Sequence, residues 1–372
     1  MNKLFHNERY QTQIALEELG EDGQKKLSAA KVLVVGAGGL GCPTLQYLAA
    51  AGIGVIGIID NDIVSLSNLH RQILFGINDL GEHKVVAAKR SLMRLNPEII
   101  YPLFKERLSK DNALEIIEYY DIVIDCTDNL ASKYLINDAC VLLKKPFVYA
   151  GISRYEGQVA LFNIAWNAAN YRDLFPQLPR EEQLDCRFQG VLGVLPGIIG
   201  CMQAAEAIKW ITSIGSITSN AILSYNMLQQ KIYTYILLHH SKNQLSAPKN
   251  AAAFKDYNYA SSCNRNAEAV FSIDMKAFEK LRSNKNVAVI DIRQLDEKPE
   301  LSGFAYLKIP DQDLYPQLQN LPYEQFILIC QTGKRSLVAA KKITKMLDNH
   351  RKIVSLSGGI LQWENYSLHK LQ

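Results

Sequence analysis

The chain has no close pair of cysteines. Its seven cysteines stand at 42, 126, 140, 186, 201, 263 and 330, never nearer to one another than 14 residues. That spacing offers no Cys-x-x-Cys zinc clip, and the odd, scattered count suits free thiols in a reducing compartment better than a disulfide framework. A cytoplasmic location is the expectation. Charge of one sign is also scarce. The net charge is +4 and the basic residues form no long run, which argues against a nucleic-acid partner. Long apolar runs are missing as well. The most apolar stretch, Gly190–Met202, is broken by glycines and by Pro196, so no membrane span is expected. The first residues, Met-Asn-Lys-Leu-Phe-His-Asn-Glu, lack the apolar core of a secretory signal. No internal repeat is found. At 372 residues and 48% apolar content, the chain is long enough for two cores of its own.

What is present starts at residue 31. The apolar run Lys31–Val35 leads into Gly36, Gly38, Gly39 and Gly41, and Cys42–Ala51 has the composition of a helix. Glycines let the backbone turn tightly and approach a phosphate, and the following helix N-terminus favours an anion. Asp60 closes a second apolar run, Val55–Asp60, where an acidic side chain bonds ribose hydroxyls. Further strands are expected at Ile122–Cys126, Pro146–Gly151 and Gln158–Asn163, with amphipathic spacers at Glu82–Asn96 and Leu114–Tyr119. This alternation predicts an α/β fold, a Rossmann-like domain built on a mostly parallel sheet. Residues 241–268 are small, polar and aperiodic and read as a linker between a domain at 1–240 and a second at 269–372. The second domain repeats the rhythm on a smaller scale, with strands at Val287–Ile290, Phe326–Cys330 and Ile353–Ser355 and a helix at Ser336–Leu347.

Two sets of residues carry chemistry. In the first, Ser67, Asn68, Leu69, His70, Arg71 and Gln72 follow the second strand and Lys84 opens the next helix. Cations and amides beside a glycine loop suit a nucleoside triphosphate under attack. Asp128 and Asn129 follow the strand at 122–126, at the end where open α/β sheets bind ligands, and a carboxylate there suits Mg²⁺ on the phosphates. Taken alone, a glycine loop is weak and fits an NAD-dependent dehydrogenase better, and Asp125 has the position of a residue that merely caps or bonds near a strand end. In the second set, Cys330-Gln-Thr-Gly-Lys-Arg-Ser336 joins a strand to a helix. The loop amides, the helix N-terminus, Lys334 and Arg335 all favour negative charge, which activates a thiol. The other reading of Cys330 is a buried structural cysteine.

Taken together with Arg9-Tyr10, Glu156-Gly157-Gln158 and Gly190–Gly197, the first set resembles the ubiquitin-activating-enzyme-like adenylyltransferases of sulfur carriers, the MoeB/ThiF/HesA family, over roughly residues 8–240. The second set, with Val289–Arg293, Glu297 and Leu356–Trp363, resembles a rhodanese domain. The resemblance implies that ATP meets Gly39, that Asp60 holds its ribose, and that Ser67–Arg71 and Lys84 hold its phosphates. Asp128 and Asn129 would complete the Mg²⁺ and nucleotide site. The substrate implied is the C-terminal glycine of a small ubiquitin-fold carrier ending in Gly-Gly. It is adenylated and then converted to a thiocarboxylate with sulfur from a Cys330 persulfide. Cys186 is the second thiol implied, a cysteine desulfurase is a candidate sulfur donor, and the state implied is a homodimer.

The chain departs from the pattern at three places. Thr12 stands where relatives have an arginine that reaches the partner's ATP. Asn170-Tyr-Arg-Asp173 stands where many have Cys-Tyr-x-Cys, and near 256–264 only Cys263 survives, so no zinc is expected. Leu301-Ser-Gly-Phe-Ala replaces the Gly-His-Ile of many rhodaneses. The first two departures leave open a carrier-binding or regulatory protein with impaired adenylation.

Overall fold

The computed structural model describes residues 3–165, 167–176, 190–259, 271–344 and 351–363, and it divides into two units, Met1–Cys263 and Asn264–Gln372. In the first unit, helices α1 (Lys3–Ile14) and α2 (Gly20–Ala29) lead into β1 (Lys31–Val35), α3 (Gly41–Ala51) and β2 (Val55–Ile59). The alternation continues through α4 (Lys84–Leu95), β3 (Leu103–Phe104), α5 (Ala113–Glu118), β4 (Ile122–Asp125), α6 (Leu130–Leu143) and β5 (Phe147–Ser153). Next come β6 (Glu156–Phe162), α7 (Tyr171–Leu174), α8 (Val194–Thr212), β7 (Ala221–Asn226), β8 (Lys231–Ile236) and α9 (Ala251–Asp256).

These eight strands form one sheet in the order β3-β2-β1-β4-β5-β6-β7-β8. The first five run parallel, and β6, β7 and β8 are added antiparallel. Register places Val34 between Ile58 and Ile124. The near-continuous apolar character of these strands follows from burial on both faces. Val32, Val34, Ile56 and Ile124 enter one core, while Leu33, Val35, Ile59 and Val123 enter the other. The chain runs from β1 outward through β2 to β3 and then returns to place β4 on the other side of β1. The gap between β1 and β4 is therefore the topological switch point, where such sheets bind ligands beyond their carboxyl ends.

Two expectations change here. The stretch 241–268 is not a linker over its first part, because Phe254 on α9 and Tyr259 are buried in the core of the first unit. Small polar residues hid these aromatic anchors. The apolar stretch at 190–202, expected to be short and broken, belongs from Val194 onward to α8, a helix of 19 residues. Among the described residues, α8 is the one helix long and apolar enough to cross a membrane. It packs on α3, β5 and β6, and its Gln203 Nε2 donates to Asp125 O (2.8 Å) and Val148 O (3.3 Å), the contacts of a core helix.

The second unit consists of β9 (Ser272–Ile273), α10 (Met275–Leu281), β10 (Val287–Asp291), β11 (Leu307–Lys308), α11 (Leu314–Asn320), β12 (Gln325–Ile329), α12 (Lys334–Thr344) and β13 (Lys352–Leu356). Its sheet is parallel throughout, in the order β11-β10-β12-β13-β9. Cys330 lies directly beyond the carboxyl end of β12, the central strand.

Candidate functional site

The candidate nucleotide site is assembled from the loops after β1, β2 and β4, strands that are neighbours in the sheet. Gly36 has φ +98°, and a Cβ there would lie 2.9 Å from Cys126 O. At Gly41 a Cβ would come within 2.0 Å of Gly36 O, so only glycine closes this turn. At Gly38, by contrast, the nearest atom to a Cβ would be Gln72 Nε2, at 3.7 Å. The loop is thus pinned at its ends and open at Gly38, whereas a Cβ at Gly39 would meet Pro196 Cβ at 3.2 Å and Arg71 O at 3.5 Å. Asp60 secures it from β2, accepting from Ala37 N (2.7 Å) and Asp62 N (2.8 Å). Each carboxylate oxygen keeps a lone pair for a further donor such as a ribose hydroxyl.

Residues 65–72 are held by their own side chains. Arg71 donates to Asn68 Oδ1 (2.7 Å) and Ser67 O (3.3 Å), and Asn68 Nδ2 donates to Ser65 Oγ (2.8 Å). His70 Nδ1 lies 3.1 Å from Ser67 O, Leu69 packs partly buried against the core, and Ser67 is exposed. Gln72 is buried, yet its Oε1 has no hydrogen-bond partner. An orphaned acceptor beside an open glycine loop fits a site shaped for a polar ligand.

Lys84 is the first residue of α4 and is 3% exposed. A cation at a helix N-terminus opposes the helix dipole and needs an anion nearby. Asp62 supplies one, 2.8 Å from Nζ, but that carboxylate is itself 62% exposed. After β4, Asp125 is fully buried. Its carboxylate accepts from Thr127 N (2.9 Å), Thr127 Oγ1 (2.6 Å) and Lys133 Nζ (3.1 Å). It fixes the turn that presents Asp128, whose side chain points to solvent. Asn129 caps α6 through Oδ1, accepting from Ser132 N at 2.9 Å, so part of its capacity serves the helix.

The second site surrounds Cys330, which is fully buried. Ser336 donates to its Sγ from both backbone N and Oγ, each at 3.3 Å. Beneath the loop, Arg293 and Asp291 form a fully buried pair at 3.0 Å, and Arg293 also donates to Gln331 Oε1 (3.0 Å) and Pro299 O (2.7 Å). Arg335 is not free to serve the sulfur alone. It makes a two-pronged bond to Glu297 at 2.8 and 2.5 Å and holds that carboxyl down to about 2. In the first unit, burial pushes the Cys42 thiol up to about 12 and raises Cys126 and Cys140 further, so these thiols stay protonated. Cys186 and Cys263 lie outside the described residues.

A family model described as ThiF family matches residues 10–247. The chain belongs to the ThiF family. A second model, the rhodanese-like domain, matches residues 274–366. The chain is 37% identical to a probable molybdopterin-synthase adenylyltransferase of Porphyra purpurea, covering 96% of this chain and 92% of that protein. It is 36% identical to the probable adenylyltransferase/sulfurtransferase MoeZ of Mycobacterium tuberculosis (95% and 92%). It is 44% identical to a sulfur carrier protein adenylyltransferase of Thermus thermophilus (60% and 84%). Among solved structures, E. coli MccB with MccA-N7isoASN shares the fold of the first unit, with TM-score 0.57 and 24% identity over 63% of this chain and 72% of that one.

Two further features of the first unit are held by long-range contacts. Arg9 and Tyr10 anchor α1: Arg9 donates to Leu95 O (2.7 Å) at the end of α4, and Tyr10, 2% exposed, accepts from Asn96 Nδ2 (2.7 Å). The second feature lies at 170–173. Asp173 has a fully buried side chain that accepts from Asn170 N (3.0 Å), His240 N (2.9 Å) and Asn243 Nδ2 (3.2 Å), with His239 Nδ1 at 3.0 Å. Asn170 Oδ1 accepts from Gln244 Nε2 (3.2 Å). Arg172 pairs with Asp138 (2.7 Å) and donates to Ser246 Oγ (3.0 Å) and Tyr257 O–H (3.3 Å), while Tyr259 donates to Asp138 (2.9 Å). The segments 239–246 and 257–259 are thereby clipped to α7 by polar contacts. Among the described residues no group of three or more His, Cys, Asp and Glu is placed to hold a metal ion. The sequence reading named positions 170 and 173 but not their partners at 239–244, which lie some 70 residues further along the chain.

Proposed function

We propose that this enzyme adenylates the C-terminal glycine of a ubiquitin-fold sulfur carrier and converts it to a thiocarboxylate. The observation that carries the first half is the buried Lys84 at the α4 N-terminus, together with the glycine loop that is open at Gly38 and the orphaned Gln72 Oε1 beside it. A carrier carboxylate oxygen attacks the α-phosphorus of ATP, the bond to pyrophosphate breaks, and Lys84 and Arg71 balance the charge of the departing pyrophosphate. No covalent nucleophile is required for that step. Asp128, which makes no hydrogen bond to the described residues, is the group that would hold Mg²⁺, whose contribution is neutralisation of phosphate charge. Asp60 orients the ribose. Nothing supports the alternative of a carrier-binding protein with impaired adenylation.

In the second half, Cys330 thiolate attacks the sulfane sulfur of a donor persulfide, and the donor thiolate leaves. A desulfurase persulfide is the proposed donor. The outer sulfur of Cys330 persulfide then displaces AMP from the acyl adenylate. Attack of a second thiolate, for which Cys186 is the candidate, on Cys330 Sγ releases the thiocarboxylate and leaves a disulfide for a cellular thiol to reduce. Fusion of the two activities raises the effective concentration of the sulfur donor.

The carrier is assigned to molybdopterin synthesis, the pathway named for the Porphyra purpurea relative; the thiamine, cysteine and tRNA-thiolation pathways are the alternatives. The enzyme is read as a cytoplasmic homodimer. Self-association is supported by a largely apolar groove of about 750 Å³ lined by Ile73, Val194, Cys201 and Met202, beside His70 and Arg71 of the nucleotide loop. Carrier docking is supported by the exposed edge strand β8, with Ile232, Tyr235 and Ile236 open to solvent. The test is to incubate the enzyme with ATP, a persulfide donor and a Gly-Gly-ended carrier, and to weigh the carrier. Exchange of one carboxyl oxygen for sulfur is expected; an unchanged carrier with every component active would overturn the reading.

A further inference from the structure

Two buried hydroxyls lie beneath the sulfur-bearing cysteine. Ser336, on the first turn of α12, and Ser355, on β13, are both 0% exposed. Ser336 Oγ is 3.3 Å from Cys330 Sγ, 3.2 Å from Gly333 O and 2.8 Å from Ser355 Oγ. Ser355 Oγ is in turn 3.3 Å from Gly333 O. Each hydroxyl has one proton to give. If Ser336 gives its proton to Sγ, Ser355 is free to donate to Ser336 Oγ. If Ser336 instead donates to Ser355 or Gly333 O, Ser355 donates to Gly333 O and the sulfur loses one donor. These are two hydrogen-bond registers of one pair, and they differ in whether Sγ is served.

We infer that Ser336 is a catalytic residue for sulfur transfer, stabilising Cys330 Sγ as the thiolate that leaves when a small nucleophile takes the outer sulfur and when the disulfide left by thiocarboxylate release is reduced, and that Ser355 is a positioning residue that sets the Ser336 hydroxyl toward the sulfur. This inference rests on the reading of Cys330 as the sulfur carrier. When Cys330 is deprotonated the charge sits on Sγ, the strong acceptor, and both Ser336 donors meet it. In the persulfide the charge moves to the outer sulfur and Sγ becomes a neutral bridging atom, so the pair relaxes to its second register. When an acceptor nucleophile takes the outer sulfur, the S–S bond breaks and its electron pair returns to Sγ. Ser336 O–H then swings back to meet the new negative charge. The backbone N–H of Ser336 serves Sγ in either register, so the hydroxyl is the part that responds to the loading state.

The experiment uses the full-length enzyme and its separate half-reactions. Cys330 is loaded with thiosulfate and discharged with cyanide, and the unloaded thiol is alkylated with iodoacetamide across pH. Ser336→Ala is expected to slow discharge about tenfold, the effect of one lost hydrogen bond to a charged group. It should also slow alkylation near neutral pH by a similar factor, with the difference closing at high pH. Ser355→Ala is expected to show the same pattern at about two- to threefold. Circular dichroism and resistance to trypsin establish that each variant is folded. Parallel discharge rates and pH profiles for folded Ser336→Ala and wild type would overturn the inference. A Ser336→Ala effect that persists unchanged at high pH would also overturn it, since it indicates loss of loop structure and not of a proton donor. A wild-type Cys330 that never gains sulfur by mass, yet still shows the serine-dependent alkylation profile, would reject the sulfur-carrier reading while keeping the hydroxyl pair's hold on the thiolate.

Discussion

Replacing Asp173 by alanine should weaken the first unit more than most single substitutions. The Asp173 carboxylate is fully buried and meets the amides of Asn170 and His240 and the side chain of Asn243 within 3.2 Å. Hydrogen bonds to a charged acceptor contribute about 1.5–3 kcal/mol each, and removing one partner from a buried charged network costs about 3–5 kcal/mol, because donors are left without acceptors. Taking about 3 kcal/mol, and about 2–4 °C per kcal/mol for a unit of this size, the melting transition of the first unit should fall by about 6–12 °C. Scanning calorimetry of the full chain is the assay, with the rhodanese-like unit's transition as internal reference. A strong chelator should leave the wild-type transition where it is, and metal analysis should find no stoichiometric zinc, since the clip is made of side-chain hydrogen bonds. A shift below about 2 °C in Asp173→Ala, or a chelator-sensitive wild type, would refute the polar clip.

Asp128→Ala should abolish adenylate formation with the fold intact, and Lys84→Ala should lose at least about tenfold in rate, read by pyrophosphate release with saturating carrier. Cys330→Ser should eliminate persulfide formation and spare adenylation, whereas Cys186→Ser should spare thiosulfate:cyanide sulfurtransferase activity and slow thiocarboxylate formation; mass spectrometry of enzyme and carrier separates the two. Light scattering should give a dimer, and Thr12→Arg should leave adenylation equal or raised by adding a cation near phosphate. The pair Glu297–Arg335 gives the rhodanese-like unit a pH dependence. Arg335 depresses the Glu297 carboxyl from 4.5 to about 2, so its stabilisation is full above about pH 4.5 and lost as pH falls through about 2. With Arg335 half exposed the effect is about 1 kcal/mol, and Glu297→Gln should remove it in acid unfolding curves.

Strands β1, β2, β4, β5 and β6 were legible because strands covered on both faces are written as short apolar runs between glycine turns and amphipathic helices. The nucleotide loop was legible for a related reason: Gly36 and Gly41 answer steric demands that no other residue meets. Strands β3, β7, β8, β9 and β11 were missed: β3, β9 and β11 are only two residues long, and β8 is exposed along its whole length and carries no burial pattern. The fold of 241–259 was hidden because Phe254 and Tyr259 are isolated anchors in a polar segment. Pairings across long separations left no local trace. Asp173 with His240, Arg172 with Tyr257, and Ser336 with Ser355 are each ordinary residues until the fold brings them together. The role expected of Arg335 at the thiol was read too simply, because Glu297 shares its charge. Arg9 likewise has a visible structural duty, capping the end of α4.

The central claim is carrier-dependent activation, and exchange of labelled pyrophosphate into ATP tests it most directly. Adenylation is reversible before sulfur arrives, so wild-type enzyme with a Gly-Gly-ended ubiquitin-fold carrier and Mg²⁺ should return label to ATP, and neither a carrier lacking its terminal glycine nor the Asp128→Ala enzyme should do so. Exchange that proceeds equally without carrier, or none with any such carrier, would contradict the account.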